Sequence, residues 1–168
     1  MKKAWLAAAF AIALCVQART GDPEYRSLWL YEGSWRATRT DQGKVVTTAI
    51  ANDCARVGRF FACQQTIDGK PGAMIIVVPA LKAGDYYTQS VTGEGAAGGR
   101  GELHIDGDHW TYLGKSEKDG KVTYYRTTNV FTGSDLIHYE LAESSDGKNW
   151  TATGGGDEVR TAKGKQPY

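Results

Sequence analysis

From residue 35 onward the chain alternates apolar and polar residues with a period of two, the pattern of strands that bury one face. β-Branched and aromatic runs fall at 35–40, 44–52, 60–67, 73–79, 86–91, 102–105, 109–115, 122–131, 136–143 and 150–153. Turn sequences separate them, among them Asp68-Gly69, Asp106-Gly107, Asp119-Gly120, Gly133-Ser134 and Asp146-Gly147, which supply the backbone conformations that tight hairpins need. A short helical segment is predicted over 23–31, where Asp22 can cap and Pro23 takes the first helical position. About ten strands joined by hairpins predict an all-β fold, a single antiparallel meander. A sheet this long is expected to close into a barrel, because closure removes its two edges.

The N-terminus follows another pattern. Lys2 and Lys3 precede an unbroken apolar run from Ala4 to Val16, and Val16-Gln17-Ala18 supplies small residues for a cleavage after Ala18. This is the pattern of a signal peptide, and the run is too short to span a bilayer. The expected organisation is therefore a signal segment over 1–18 and one barrel domain over 19–168, periplasmic or secreted. The full chain has 168 residues, with 20 Lys and Arg against 19 Asp and Glu. Removal of residues 1–18, with Lys2 and Lys3, leaves 150 residues and 18 basic groups against 19 acidic ones. A near-neutral chain with scattered cations cannot neutralise several phosphates, which argues against nucleic acid and against an anionic membrane surface as partners.

The same cut changes the cysteine count. Cys15 leaves with the signal, and the mature chain keeps Cys54 and Cys63. An even pair in an exported protein reads as a disulfide. A hairpin about Gly58-Arg59 places Val57 opposite Phe60 and Cys54 opposite Cys63, so the two sulfurs meet across the ladder. A redox or metal role finds no support, since there is no Cys-x-x-Cys and no histidine beside either cysteine.

Gly33-Ser34-Trp35 after a short helical turn, with Arg160 just beyond the last predicted strand, resembles the lipocalin or calycin superfamily. That resemblance implies a Gly-x-Trp at the barrel bottom and a late arginine stacked over the tryptophan, here Trp35 and Arg160. The order of Asn52-Asp-Cys54, Phe61-Ala-Cys63, Trp110-Thr-Tyr112, Arg126-Thr-Thr-Asn129 and Asp146-Gly-Lys-Asn-Trp150 is similar to uncharacterised, exported bacterial proteins with a lipocalin-like domain. The resemblance implies a fold and a compartment and supplies no activity.

Several constellations invite chemistry. Gly93-Glu-Gly95-Ala-Ala-Gly98 matches a dinucleotide fingerprint, but it leads into another strand rather than a helix N-terminus, so it reads as a flexible hairpin loop. With a turn at Gly107-Asp108, His104, Asp106, His109 and Thr111 share one face while Leu103, Ile105, Trp110 and Tyr112 take the core face; the histidines are expected outside, with no metal. A two-residue turn at Gly133-Ser134 puts His138 opposite Asn129 on the outer face with Thr127 and Glu140. A lumenal haem then lacks its obvious ligand, and no cofactor is expected. The inner face of that hairpin would carry Tyr124, Arg126, Thr128 and Val130 against Ile137, Tyr139 and Leu141. Arg126 would receive a ligand carboxylate, with Tyr124, Thr128 and Tyr139 adding hydrogen bonds. Against this stands a rim arginine with a packed stem and a wet head. Trp29, Trp110 and Trp150 read as core.

No Gly-x-Ser-x-Gly and no spare cysteine nucleophile mark a catalytic site, and no catalytic residue is assigned. The reading is an exported lipocalin-like barrel that binds a small, partly apolar or amphipathic ligand in its lumen. The alternative is a protein-interaction or inhibitor module of the envelope with a filled barrel; a barrel enzyme ranks third.

Overall fold

The computed structural model describes residues 23–41 and 43–165. The signal segment 1–18 and the capping role of Asp22 lie outside the described residues. The chain opens with one helical turn, α1 (Pro23–Arg26), that tightens into a 3-10 turn (Ser27–Tyr31). Ten strands follow: β1 (Gly33–Asp41), β2 (Lys44–Val57), β3 (Phe60–Ile67), β4 (Lys70–Pro79), β5 (Asp85–Val91), β6 (Ala97–Asp106), β7 (His109–Lys118), β8 (Lys121–Thr132), β9 (Leu136–Ser144) and β10 (Thr151–Lys163). Each pairs antiparallel with its neighbours in sequence, and β1 pairs with β10, so the meander closes into a barrel with no free edge. Among the described residues no helix is long and apolar enough to cross a membrane.

Three strands run well past their sequence expectation, β6 by beginning at Ala97 rather than 102. β2 continues through the cysteine segment to Val57. β10 spans Thr151–Lys163 rather than ending at 153, because Gly154, Gly155 and Gly156 are paired strand residues and not a break. Arg160 therefore lies inside β10, not beyond it, directly opposite Trp35.

The core gathers at one end of the barrel, beneath the helical segment. Trp35, Phe61, Leu103, Trp110 and Ile137 point inward from five strands and are the largest fully buried side chains. Tyr25, Leu28 and Trp29 press down on them from α1 and the 3-10 turn. Trp29 meets Phe61 edge to face at 5.0 Å, and Trp110 lies 4.7 Å from Phe131.

Arg160 ties the closure together. Its guanidinium lies 4.0 Å over the Trp35 ring. It donates to the carbonyls of Leu30 and Glu32 at 2.6 and 2.5 Å and to Ser134 O at 2.8 Å, and pairs with Asp135 at 3.1 Å. One side chain on β10 thus binds the 3-10 turn and the β8–β9 loop, and a cation 3% exposed is tolerable because each of its three nitrogens donates a hydrogen bond and Asp135 pairs with it. Gly33 is glycine for a physical reason: at φ 114° a Cβ would lie 2.5 Å from the Ala162 carbonyl and 2.9 Å from the arginine itself.

Candidate functional site

Above the packed floor the lumen holds a cavity of about 760 Å³, within the range of small-molecule sites. From β2 to β4 come the apolar Ile50, Phe61, Ile67, Ile75 and Val77 together with Thr48, Asn52, Gln65 and, at the turn after β3, Asp68; from β7 to β10 and β1 come Tyr112, Thr127, Asn129, Tyr139, Leu141, Glu158 and Arg39. Only every second residue of each strand faces inward.

Tyr31 closes the base of this space. It is the last residue of the 3-10 turn, and its carbonyl accepts from Trp35 Nε1 at 3.0 Å and Asn52 Nδ2 at 3.1 Å. Its hydroxyl accepts from the Asn129 side-chain amide. The ring sits among Trp110, Phe131 and Tyr112, at 5.3, 5.7 and 6.5 Å. Burial, then the neighbouring Tyr112 and Glu158, hold the Tyr31 phenol well above its ordinary range. Burial likewise raises Tyr112 and Tyr139, and the Glu158 charge adds to both.

Glu158 is the partly buried acid of the cavity wall; the other acid there, Asp68, is exposed. On β10 Glu158 is paired with Ala37 of β1 and Ile137 of β9. Burial alone raises its carboxyl above the ordinary carboxylate range. The small Ala37 on one side leaves the acid open to the cavity. A Cβ at Gly156, its inward neighbour, would run into the Thr38 carbonyl and the Tyr139 hydroxyl, so the glycine lets Tyr139 lie across the strand. Arg39 stands one inward position nearer the mouth than Ala37 and is exposed.

The hairpin expected to supply the ligand cation is shifted by one residue. The β8–β9 loop has three residues, Gly133 to Asp135, and Thr132 pairs with Leu136; Asn129 consequently faces Tyr139, and Val130 faces His138. Ile137, Tyr139 and Leu141 point inward as expected, but their partners are Phe131, Asn129 and Thr127. Tyr124, Arg126 and Thr128 are on the outer face, and Thr127 is inside rather than beside His138. A one-residue slip exchanges the faces of a strand. Arg126 stacks 4.6 Å over the Trp150 ring, so Trp150 belongs to an outer-surface cluster and not to the core. Asp146 shapes the loop behind that cluster: it accepts from the Lys148 and Asn149 backbone amides at 2.8 Å each and from Ser144 and Asn149 side chains, which together hold its carboxyl far below the usual range.

The cysteines meet as expected. Cys54 pairs with Cys63 in register and forms the disulfide, on the inward face at the base of the cavity. His104, His109 and His138 lie outside, each against a carboxylate: Asp85 at 2.5 Å, Asp108 at 2.8 Å and Asp157 at 2.8 Å. The glycine-rich loop joins two strands, and β6 begins at Ala97.

Arg39 and Glu158, like Asp68 at the mouth, are lumenal charges that sequence reasoning missed. Arg39 and Glu158 carried a signal. Arg39 follows Trp35 and Ala37 at strand spacing, and Glu158 precedes Arg160 by two, so each shares a face with the pair that closes the barrel.

The sequence matches no protein-family model and no curated protein. Among solved structures the chain is similar to the crystal structure of Rv2717c from M. tuberculosis, at 16% identity and a TM-score of 0.46, over 83% of this chain and 98% of that one.

Proposed function

We propose that the protein is an exported, lipocalin-like binding protein that holds a small, partly apolar molecule in its lumen. The observation that carries this reading is the cavity of about 760 Å³, whose lining combines apolar side chains such as Ile50, Phe61, Ile67, Ile75 and Val77 with tyrosines, two acids and an arginine. An apolar body gains by leaving water against Ile50, Ile67 and Ile75, while a polar end finds hydrogen-bond partners in the same lining. The signal-like N-terminus and the Cys54–Cys63 disulfide support an oxidising compartment outside the cytoplasm. The anchoring residues are Tyr139, Glu158 and Arg39; Arg126, Tyr124 and Thr128 have no part in it.

Native mass spectrometry of the protein purified from its own envelope, together with titration by the neutral dye N-phenyl-1-naphthylamine, tests this. A bound adduct or 1:1 dye uptake is expected. Ile75→Trp, which fills the lumen, should abolish uptake while the melting transition is retained. No uptake by the wild-type protein, or equal uptake by the filled variant, would sink the reading.

A second reading, an envelope interaction or inhibitor module, rests on a different surface. Val57, Phe60, Leu81 and Tyr87 are each more than half exposed beside the β2–β3 and β4–β5 turns, around a shallow apolar groove.

A further inference from the structure

The lumen separates its charges by depth. Glu158 lies inside, level with Ile137 on β9 and one inward position above Trp35 on β1, whereas Arg39 and Asp68 are exposed nearer the mouth. Among the described residues no hydrogen bond or ion pair acts on the Glu158 carboxylate; burial is the one influence on it. Arg39 lies close enough to Tyr139 to lower its phenol. Tyr31, Tyr112 and Tyr139, from the 3-10 turn, β7 and β9, line the same cavity as Glu158, and its charge raises all three phenols. A partly buried acid without an ion-pair partner among the described residues, in a cavity that three tyrosines also line, is a recognisable half of a pair. Its charge asks for a positive group, and tyrosine faces attract cations while the carboxylate supplies a charge-assisted hydrogen bond.

We infer that the lumenal ligand is an apolar primary amine, its ammonium seated against Glu158 among Tyr31, Tyr112 and Tyr139 and its body along Ile50 and Ile75. This rests on the lumenal-binding reading and fixes the chemistry of its polar end. A ligand carboxylate, which an inward Arg126 would have favoured, meets repulsion at the deep site; Arg39 can only greet it at the wet mouth, where screening weakens the attraction.

Three probes of one shape decide the matter on the mature wild-type chain: 2-(1-naphthyl)ethylamine, 2-(1-naphthyl)ethanol and 1-naphthylacetate, measured by calorimetry at neutral pH. The amine should bind roughly 10- to 100-fold more tightly than the other two, the worth of a charge-assisted bond in a partly buried site. Glu158→Gln should remove most of that advantage and leave the alcohol within about threefold. Acetate binding equal to or tighter than the amine overturns the inference while leaving lumenal binding intact, as does an unchanged amine affinity in Glu158→Gln. Binding of none of the three overturns lumenal binding itself. The wild-type ranking needs no variant, so a poorly folded Glu158→Gln protein would not rescue the idea.

Discussion

At the floor of the barrel Trp35, Phe61, Leu103, Trp110 and Ile137 are at most 1% exposed. One inward position toward the mouth, the same five strands carry Ala37, Cys63, Gly101, Tyr112 and Tyr139. Each large apolar side chain is followed by one that is smaller or polar. That single step separates a packed plug from an open lumen: side-chain volume fills the first layer and stops filling the second. The polar groups are divided less cleanly. At the floor Arg160 has four partners, yet Trp110 Nε1 and one carboxylate oxygen of Glu32 are buried without a hydrogen bond among the described residues, and in the lumen Glu158 has no hydrogen bond or ion pair among them. The floor holds the barrel shut, and the layer above it is left open.

The sharpest way to break this contrast is to remove the tie. Arg160→Ala strips two turns of their shared donor and uncovers Trp35; a loss of about 3–5 kcal/mol in urea unfolding is expected. Arg160→Lys should recover little, because an ammonium cannot reach three carbonyls and stack on the indole together. Matched truncations at the two levels come next. Trp110→Ala should cost about 3–5 kcal/mol, but Ile75→Ala less than about 2 kcal/mol, since one side of Ile75 already faces open space. Equal costs would mean that the lumen is filled in solution. Replacing both cysteines by alanine should cost about 2–3 kcal/mol from the short closed loop, without opening the rest of the barrel.

Glu158 gives a smaller effect of opposite sign. Its carboxyl is raised in the folded protein, so the native state holds its proton to higher pH than the unfolded chain does. Its contribution is therefore most favourable below the ordinary glutamate range and declines as pH rises through the raised folded value. Glu158→Gln should raise the melting temperature at neutral pH and remove that decline; a lower melting temperature at neutral pH would contradict an unpaired lumenal acid. The smallest change belongs to Arg126→Ala on the outer face. Loss of its stack on Trp150 should cost no more than about 1 kcal/mol and leave dye uptake unchanged. Loss of uptake would return Arg126 to the lumen.

Much of this molecule is written locally in its sequence. Alternation and turn residues determine ten strands in hairpin order, and the spacing of Cys54 and Cys63 about Gly58 determines their pairing, because each depends on neighbours in the chain. The Arg160–Trp35 stack at the floor was anticipated only through a resemblance and not from the local pattern, and the glycines at 154–156 hid how far β10 extends. Which residues enter the lumen was not written there in the same sense. That depends on register, and at the β8–β9 turn the difference between a two- and a three-residue loop exchanges Arg126 for Thr127. Nor can a local pattern show that Ala37 and Gly156 flank Glu158, or that tyrosines from three distant elements line the same cavity. Strand alternation has a period of two, so sequence determines that two faces exist, and only the closed barrel decides which one looks inward.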